Sequence, residues 1–185
     1  SQDLPNTPSQ DAEAARRAEA AQRQQELNAT SLTFDRMAEE SLRKPPTISR
    51  SGFGSSERAR FFESVQLFRQ ATTRYREAIG LVPDVTKPVR SIEKLIDPLK
   101  SYFNSLNVKG TSVDRSEYAN LSKKDLEWET LTLAETIDNN LQVAQRLVAK
   151  SERDGVVDIK ALQFFGDIQN DLTRMSFLTS KVSKK

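Results

Sequence analysis

Residues 122–152 read SKKDLEWETLTLAETIDNNLQVAQRLVAKSE, a run with neither glycine nor proline. Leu126, Leu133, Ile137, Leu141, Ala144 and Val148 recur at steps of three, four and seven, so they share one face of an α-helix. At 1.5 Å per residue that helix is roughly 45 Å long. Ser122 stands where an N-cap belongs, and Asp125 three residues on makes a variant of the capping box. A helix with one apolar stripe is stable only when something covers the stripe, so the chain must supply further helices.

The next segments do so. Lys150–Asp154 leads through Gly155-Val156-Val157 into a last helix near Asp158–Val182, with Asp158 as its N-cap. Leu162, Phe165, Ile168 or Gln169, Leu172, Met175 and Thr179 are its seam, and so short a connection makes the two helices antiparallel neighbours. Upstream, a helix over Ser56–Ile79 carries Phe61, Val65, Phe68, Thr72, Tyr75 and Ile79 at bundle spacing, and Gly80 is placed to end it. Pro83 and Pro88 bracket a short connection. Val89, Ile92, Leu95, Ile96, Leu99, Phe103 and Leu106 then outline another helix. Pro98 inside it predicts a kink or a break near Lys94–Asp97. Asn107–Leu121 reads as a loop with a helical turn around Asp114–Tyr118.

These segments predict an all-α protein: an up-down four-helix bundle over about 56–182, with an additional N-terminal helix. Residues 1–10, polar with Pro5 and Pro8, are expected to be disordered. Residues 11–42 form a helical arm that is alanine-rich at first and apolar only from Leu27 onward. Residues 43–55, RKPPTISRSGFGS, form a linker stopped by Pro45-Pro46, and 183–185 a frayed tail.

Composition narrows the chemistry. With no cysteine there is no disulfide, thiolate metal site or thiol nucleophile, and with no histidine the commonest general base and metal ligand is missing. No cofactor and no metal is expected, and an enzyme is the least favoured class. A net charge of +2 gives no strong global field toward nucleic acid or anionic membrane, and no stretch is apolar enough to span a bilayer. The chain begins Ser-Gln-Asp-Leu-Pro, read as a mature N-terminus left by export; the expected setting is extracytoplasmic, periplasmic or secreted, with the cytoplasm as the alternative.

Four constellations bear on function. KSERDGVVDIKA, residues 150–161, has the outline of a calcium loop, but Lys150 and Ala161 hold the first and twelfth positions, so it reads as a turn with a cap. The acidic run Asp125, Glu127, Glu129, Glu135 and Asp138 is expected to face the basic helix 56–79 across the bundle. Asn140 adjoins the Ile137/Leu141 seam, where it either fixes register or lies on the solvent face. Arg58, Arg60, Arg69, Arg74 and Arg76, interleaved with Phe61, Phe62 and Tyr75, form a candidate basic patch for nucleic acid.

The expected function is a non-enzymatic interaction or structural module. It docks to a protein partner through Leu27, Phe34 and Met37 of the arm, or through Phe53 of the linker. The rivals are a nucleic-acid-associated protein using the arginine-rich helix, and a ligand sensor with a pocket between helices.

Overall fold

The computed structural model describes residues 11–23, 25, 55–155 and 158–184. Expectations for residues 1–10, the apolar half of the arm, the linker to 54 and Val156-Val157 fall outside the described residues. Helix α1 covers 11–23. Helices α2 (Ser55–Ala78), α3 (Thr86–Ser105), α4 (Lys123–Asp154) and α5 (Ile159–Lys184) form the four-helix bundle, and a 3₁₀ turn, Ser116–Tyr118, sits between α3 and α4. No strand occurs among the described residues.

The helices end where local chemistry ends them. Ser122 accepts a hydrogen bond from the Asp125 amide at 3.1 Å, and Asp158 accepts one from the Lys160 amide at 2.7 Å, so both expected N-caps form. Gly155 closes α4 in the left-handed region at φ 79°, with its amide on the Ser151 carbonyl. Helix α3 runs through Pro98 without a break, which leaves a kink as the alternative the sequence offered. Pro98 is exposed, so the carbonyl it leaves unpaired faces water, where a missing intrahelical bond costs least.

The seams close as one core. Phe61, Val65, Phe68 and Tyr75 of α2, Ile92, Ile96, Leu99 and Phe103 of α3, Leu126, Ile137 and Leu141 of α4, and Phe165, Ile168 and Leu172 of α5 are all buried. Where α2 begins and α3 ends, Phe61 stacks on Tyr102 with ring centroids 4.2 Å apart and meets Phe103 edge-on at 5.3 Å. Asn140 is buried too, which removes the solvent-face alternative; no described residue bonds its Oδ1.

Around the ring, α2 and α5 each lie beside both α3 and α4. Tyr75, late in α2, donates to the Glu127 carbonyl at the start of α4, and Arg58, early in α2, pairs with Glu152 near the end of α4. Asn104 and Lys100 of α3 meet Gln169 and Thr173 of α5 in reverse order. Spatial neighbours are therefore antiparallel all round the ring, whereas α3 and α4, consecutive in sequence, lie diagonally and point the same way.

Residues 106–122 must consequently travel the length of the bundle, and they do so over the outer side of α5. Asn107, at φ 61°, turns the chain out of α3. The Gln169 side-chain amide then donates to the carbonyls of Lys100 at 3.3 Å and Val108 at 3.1 Å and to Asn104 Oδ1 at 3.0 Å. Asn170 Oδ1 accepts from the Thr111 amide at 2.8 Å. A Cβ on Gly110 would sit 2.5 Å from that oxygen, so a larger residue there would push the Asn170 side chain off this bond. Further along, Arg115 lies over the Phe177 ring, and Lys181 donates to the Tyr118 carbonyl at 3.3 Å.

Gln169 is thus the clamp that holds α3, the crossover and α5 together. Gln169→Ala takes the donor from the buried Val108 carbonyl and leaves a void, and it is expected to lower unfolding free energy by about 2–4 kcal/mol. Urea denaturation followed by circular dichroism measures this; a change within about 0.5 kcal/mol, the range of an ordinary surface substitution, would show that the clamp holds nothing.

Candidate functional site

Of the residues expected to bind a partner, Leu27, Phe34, Met37 and Phe53 lie outside the described residues. The five arginines of α2 are described, and they do not make one patch. Arg58 pairs with Glu152 and stands over the Phe62 ring, and Arg76 pairs with Glu135 at 3.4 Å. Arg69 lies close enough to Asp138 to stabilise its charge. Arg60 and Arg74, which occupy other faces of the helix, remain exposed.

The expected facing of acidic α4 and basic α2 is therefore present through Glu135, Asp138 and Glu152. Asp125 and Glu129 do something else. One helical turn apart on the other flank of α4, they hold Arg16 of α1, with Nη2 3.0 Å from Asp125 Oδ1 and Nε 2.8 Å from Glu129 Oε1.

The sequence places this seat as follows. Helix α1 is rich in alanine and laced with i,i+4 pairs, Glu13–Arg17 at 2.6 Å and Glu19–Arg23 at 3.7 Å, which favour a helix without apolar burial. Ala12, Arg16 and Ala20, four residues apart, are half-buried. The two alanines let the helix approach closely and Arg16 fixes its register; the Arg16 side chain keeps only 14 % of its exposure. Burial pushes the Glu129 carboxyl up, with Arg16 and Arg23 pulling it back. Across the seam on α5, burial also raises Asp171, against the opposing pull of its partner Arg174 at 2.7 Å and of Arg23. The seat is thus the acid pair of α4, with Asp171 of α5 near enough to feel Arg23.

A second feature is a groove between α2 and α3, with a volume of about 280 Å³. Arg60, Ser64, Ser101 and Ser105 line it above the packed rings of Phe61 and Tyr102. No cluster of acidic side chains suited to a metal ion occurs among the described residues. Comparison of the chain with protein-family models, with curated proteins and with solved structures finds no match in any of the three.

Sequence reading missed Arg16, because a lone arginine in an alanine-rich helix gives no apolar signal. The available signal was the acid pair one turn apart at Asp125 and Glu129, left unmatched once α2 is paired with the opposite flank.

Two outcomes are expected. Arg16→Ala should speed amide exchange across residues 12–22 roughly tenfold or more while leaving α4 and α5 protected, as read by hydrogen-exchange mass spectrometry; unchanged exchange would remove Arg16 from the seat. Asp138, buried at the α2–α4 seam, has its carboxyl pushed up by burial, so its charge costs stability that grows as pH rises above about 3.9. Asp138→Asn should therefore raise the urea midpoint at pH 7 and leave it unchanged near pH 3. Equal midpoints at pH 7 would contradict this.

Proposed function

We propose that this protein is a non-enzymatic interaction module in which the four-helix bundle is a rigid mount and the N-terminal arm carries the contact with a protein partner, in an extracytoplasmic setting. The observation that carries the reading is the seat of Arg16 between Asp125 and Glu129. A helix held to a bundle by one charged fork and two alanines is ordered without being merged into the core. In this reading Leu27, Phe34 and Met37, which follow in the sequence, supply the burial that a partner recognises. The shifted carboxyl groups of the bundle lie along helix–helix seams rather than around one shared cavity, which suits packing and recognition better than catalysis.

The α2–α3 groove favours a second reading, a sensor for a small polar ligand held by Arg60 and the three serine hydroxyls. It ranks below the first because the groove is open to solvent along one side.

The chain has no cysteine, so single cysteines placed at Phe34 or Met37 can carry a photo-crosslinker without background. Both positions are expected to capture the same protein, and a control cysteine at Gln66 on the exposed side of α2 is not. Undiminished affinity for the captured protein in a chain lacking residues 1–42, measured by direct binding, would overturn the arm as the contact element.

A further inference from the structure

The turn joining α2 to α3 ends the bundle in a patch that packing does not use. Residues 80–84, Gly-Leu-Val-Pro-Asp, are all exposed, and Leu81 and Val82 keep 81 % and 44 % of their surface. Turn geometry here asks for no apolar side chain. The turn is nonetheless held in place. The amides of Leu81 and Val82 bond the Ala78 carbonyl at 3.0 and 3.1 Å, and Asp84 accepts both the amide and the hydroxyl of Thr86. The two apolar side chains are presented outward on an anchored turn.

Exposed cations surround them. Lys87 and Arg90 open α3, and Lys123 and Lys124 open α4, whose start is drawn to this end by the bond from Tyr75 to Glu127. Lys123 and Arg90 both act on Asp84, which places them beside the tip. Lys184 ends α5 at the same end, as the bond from Lys181 to Tyr118 shows. Arg76 is matched by Glu135, and Arg16 serves both Asp125 and Glu129; among the described residues the anions near the tip include Glu77, Asp84, Glu117 and Glu127, beside Lys87, Arg90, Lys123, Lys124 and Lys184. Burial raises Glu127 as well, weakening its hold on its charge.

We propose that this end of the bundle docks on an anionic lipid surface, with Leu81, Val82 and Pro83 entering the headgroup layer and Lys87, Arg90, Lys123 and Lys124 resting on lipid phosphates. A membrane offers apolar depth beneath a negative layer, which is the order in which the tip and its collar are presented. Neither signal holds alone; the two together make a reversible contact. This inference stands independently of the arm.

The test uses the full chain with a single cysteine, Leu81→Cys, carrying an environment-sensitive fluorophore, and vesicles of phosphatidylcholine with or without a third of phosphatidylglycerol. The expected result is a blue-shifted, brighter emission on the anionic vesicles alone, reversed by high salt. In co-sedimentation of unlabelled chains, Lys123→Ala with Lys124→Ala should weaken binding roughly twenty-fivefold, about fivefold per cation. Leu81→Ser with Val82→Ser should weaken it at least roughly tenfold. These positions are exposed, so unchanged thermal unfolding confirms that each variant is folded. Absence of a spectral change on anionic vesicles overturns the proposal. So does vesicle binding that ignores the two lysines, because the anionic headgroups would then play no part in the contact.

Discussion

Helices α3 and α4 follow one another in sequence and point the same way, and most of the architecture answers to that constraint. A turn cannot join them. Residues 106–122 instead run alongside α5 from Gln169, which holds Val108, to Lys181, which holds Tyr118, a rise of about 18 Å. The crossover buries Leu106, Val108 and Tyr118 and is held besides by polar groups of the helix beneath it. That is why Gln169, Asn170 and Lys181 spend their hydrogen bonds on the crossover's backbone or its Thr111, and why α5 is enclosed by α3, α4 and the crossover. The unusual burial of a glutamine within an apolar seam is a consequence of topology.

Charge plays a different part on α4. Its acids divide between two neighbours: Glu135 and Asp138 lie toward the arginines of α2, and Asp125 and Glu129 toward Arg16 of α1. These pairs are not equal in weight. Arg76 and Glu135 are each more than 40 % exposed, and such a pair contributes at most about 1 kcal/mol. Arg16, largely enclosed and forked across two carboxylates, has lost much of its water and depends on both partners. Helix α1 has almost no apolar stripe among the described residues. Its position is therefore set by charge, where the positions of α2 to α5 are set by burial.

The sequence made the local grammar legible and left the long-range geometry hidden. Ser122 and Asp158 cap as their residue types require, Gly155 stops α4 in the left-handed region, and the apolar stripes of all four bundle helices are buried. Each of these follows from a few neighbouring residues. The direction of α4 does not. It depends on where residues 106–122 go, and the only trace in sequence is that the connection is too long for a turn yet has Gly110 where the chain must pass Asn170 closely. Pro98 did not decide between a kink and a break because proline's cost depends on which way the freed carbonyl faces, and that is a tertiary fact. The tip residues Leu81 and Val82 went unremarked because an apolar residue in a turn is a signal only once the core is known to leave it out.

In the proposed readings the surfaces given to interaction are one end of the bundle and its arm. The start of α4 sits where these meet, since Lys123 and Lys124 stand beside the tip and Asp125 and Glu129 hold the arm. Successive residues of one helical turn thus present opposite signs to opposite tasks. Ionic strength acts on both, because each relies on charges near the surface with a screening length of about 8 Å in physiological salt. It does not act on the apolar core. Raising salt should accordingly loosen the arm at Arg16 and weaken any contact made by the lysine collar, while the unfolding midpoint of the bundle stays where burial puts it. A midpoint that fell together with arm protection would mean instead that α1 is part of the cooperative core, and that its apparent independence is an accident of composition.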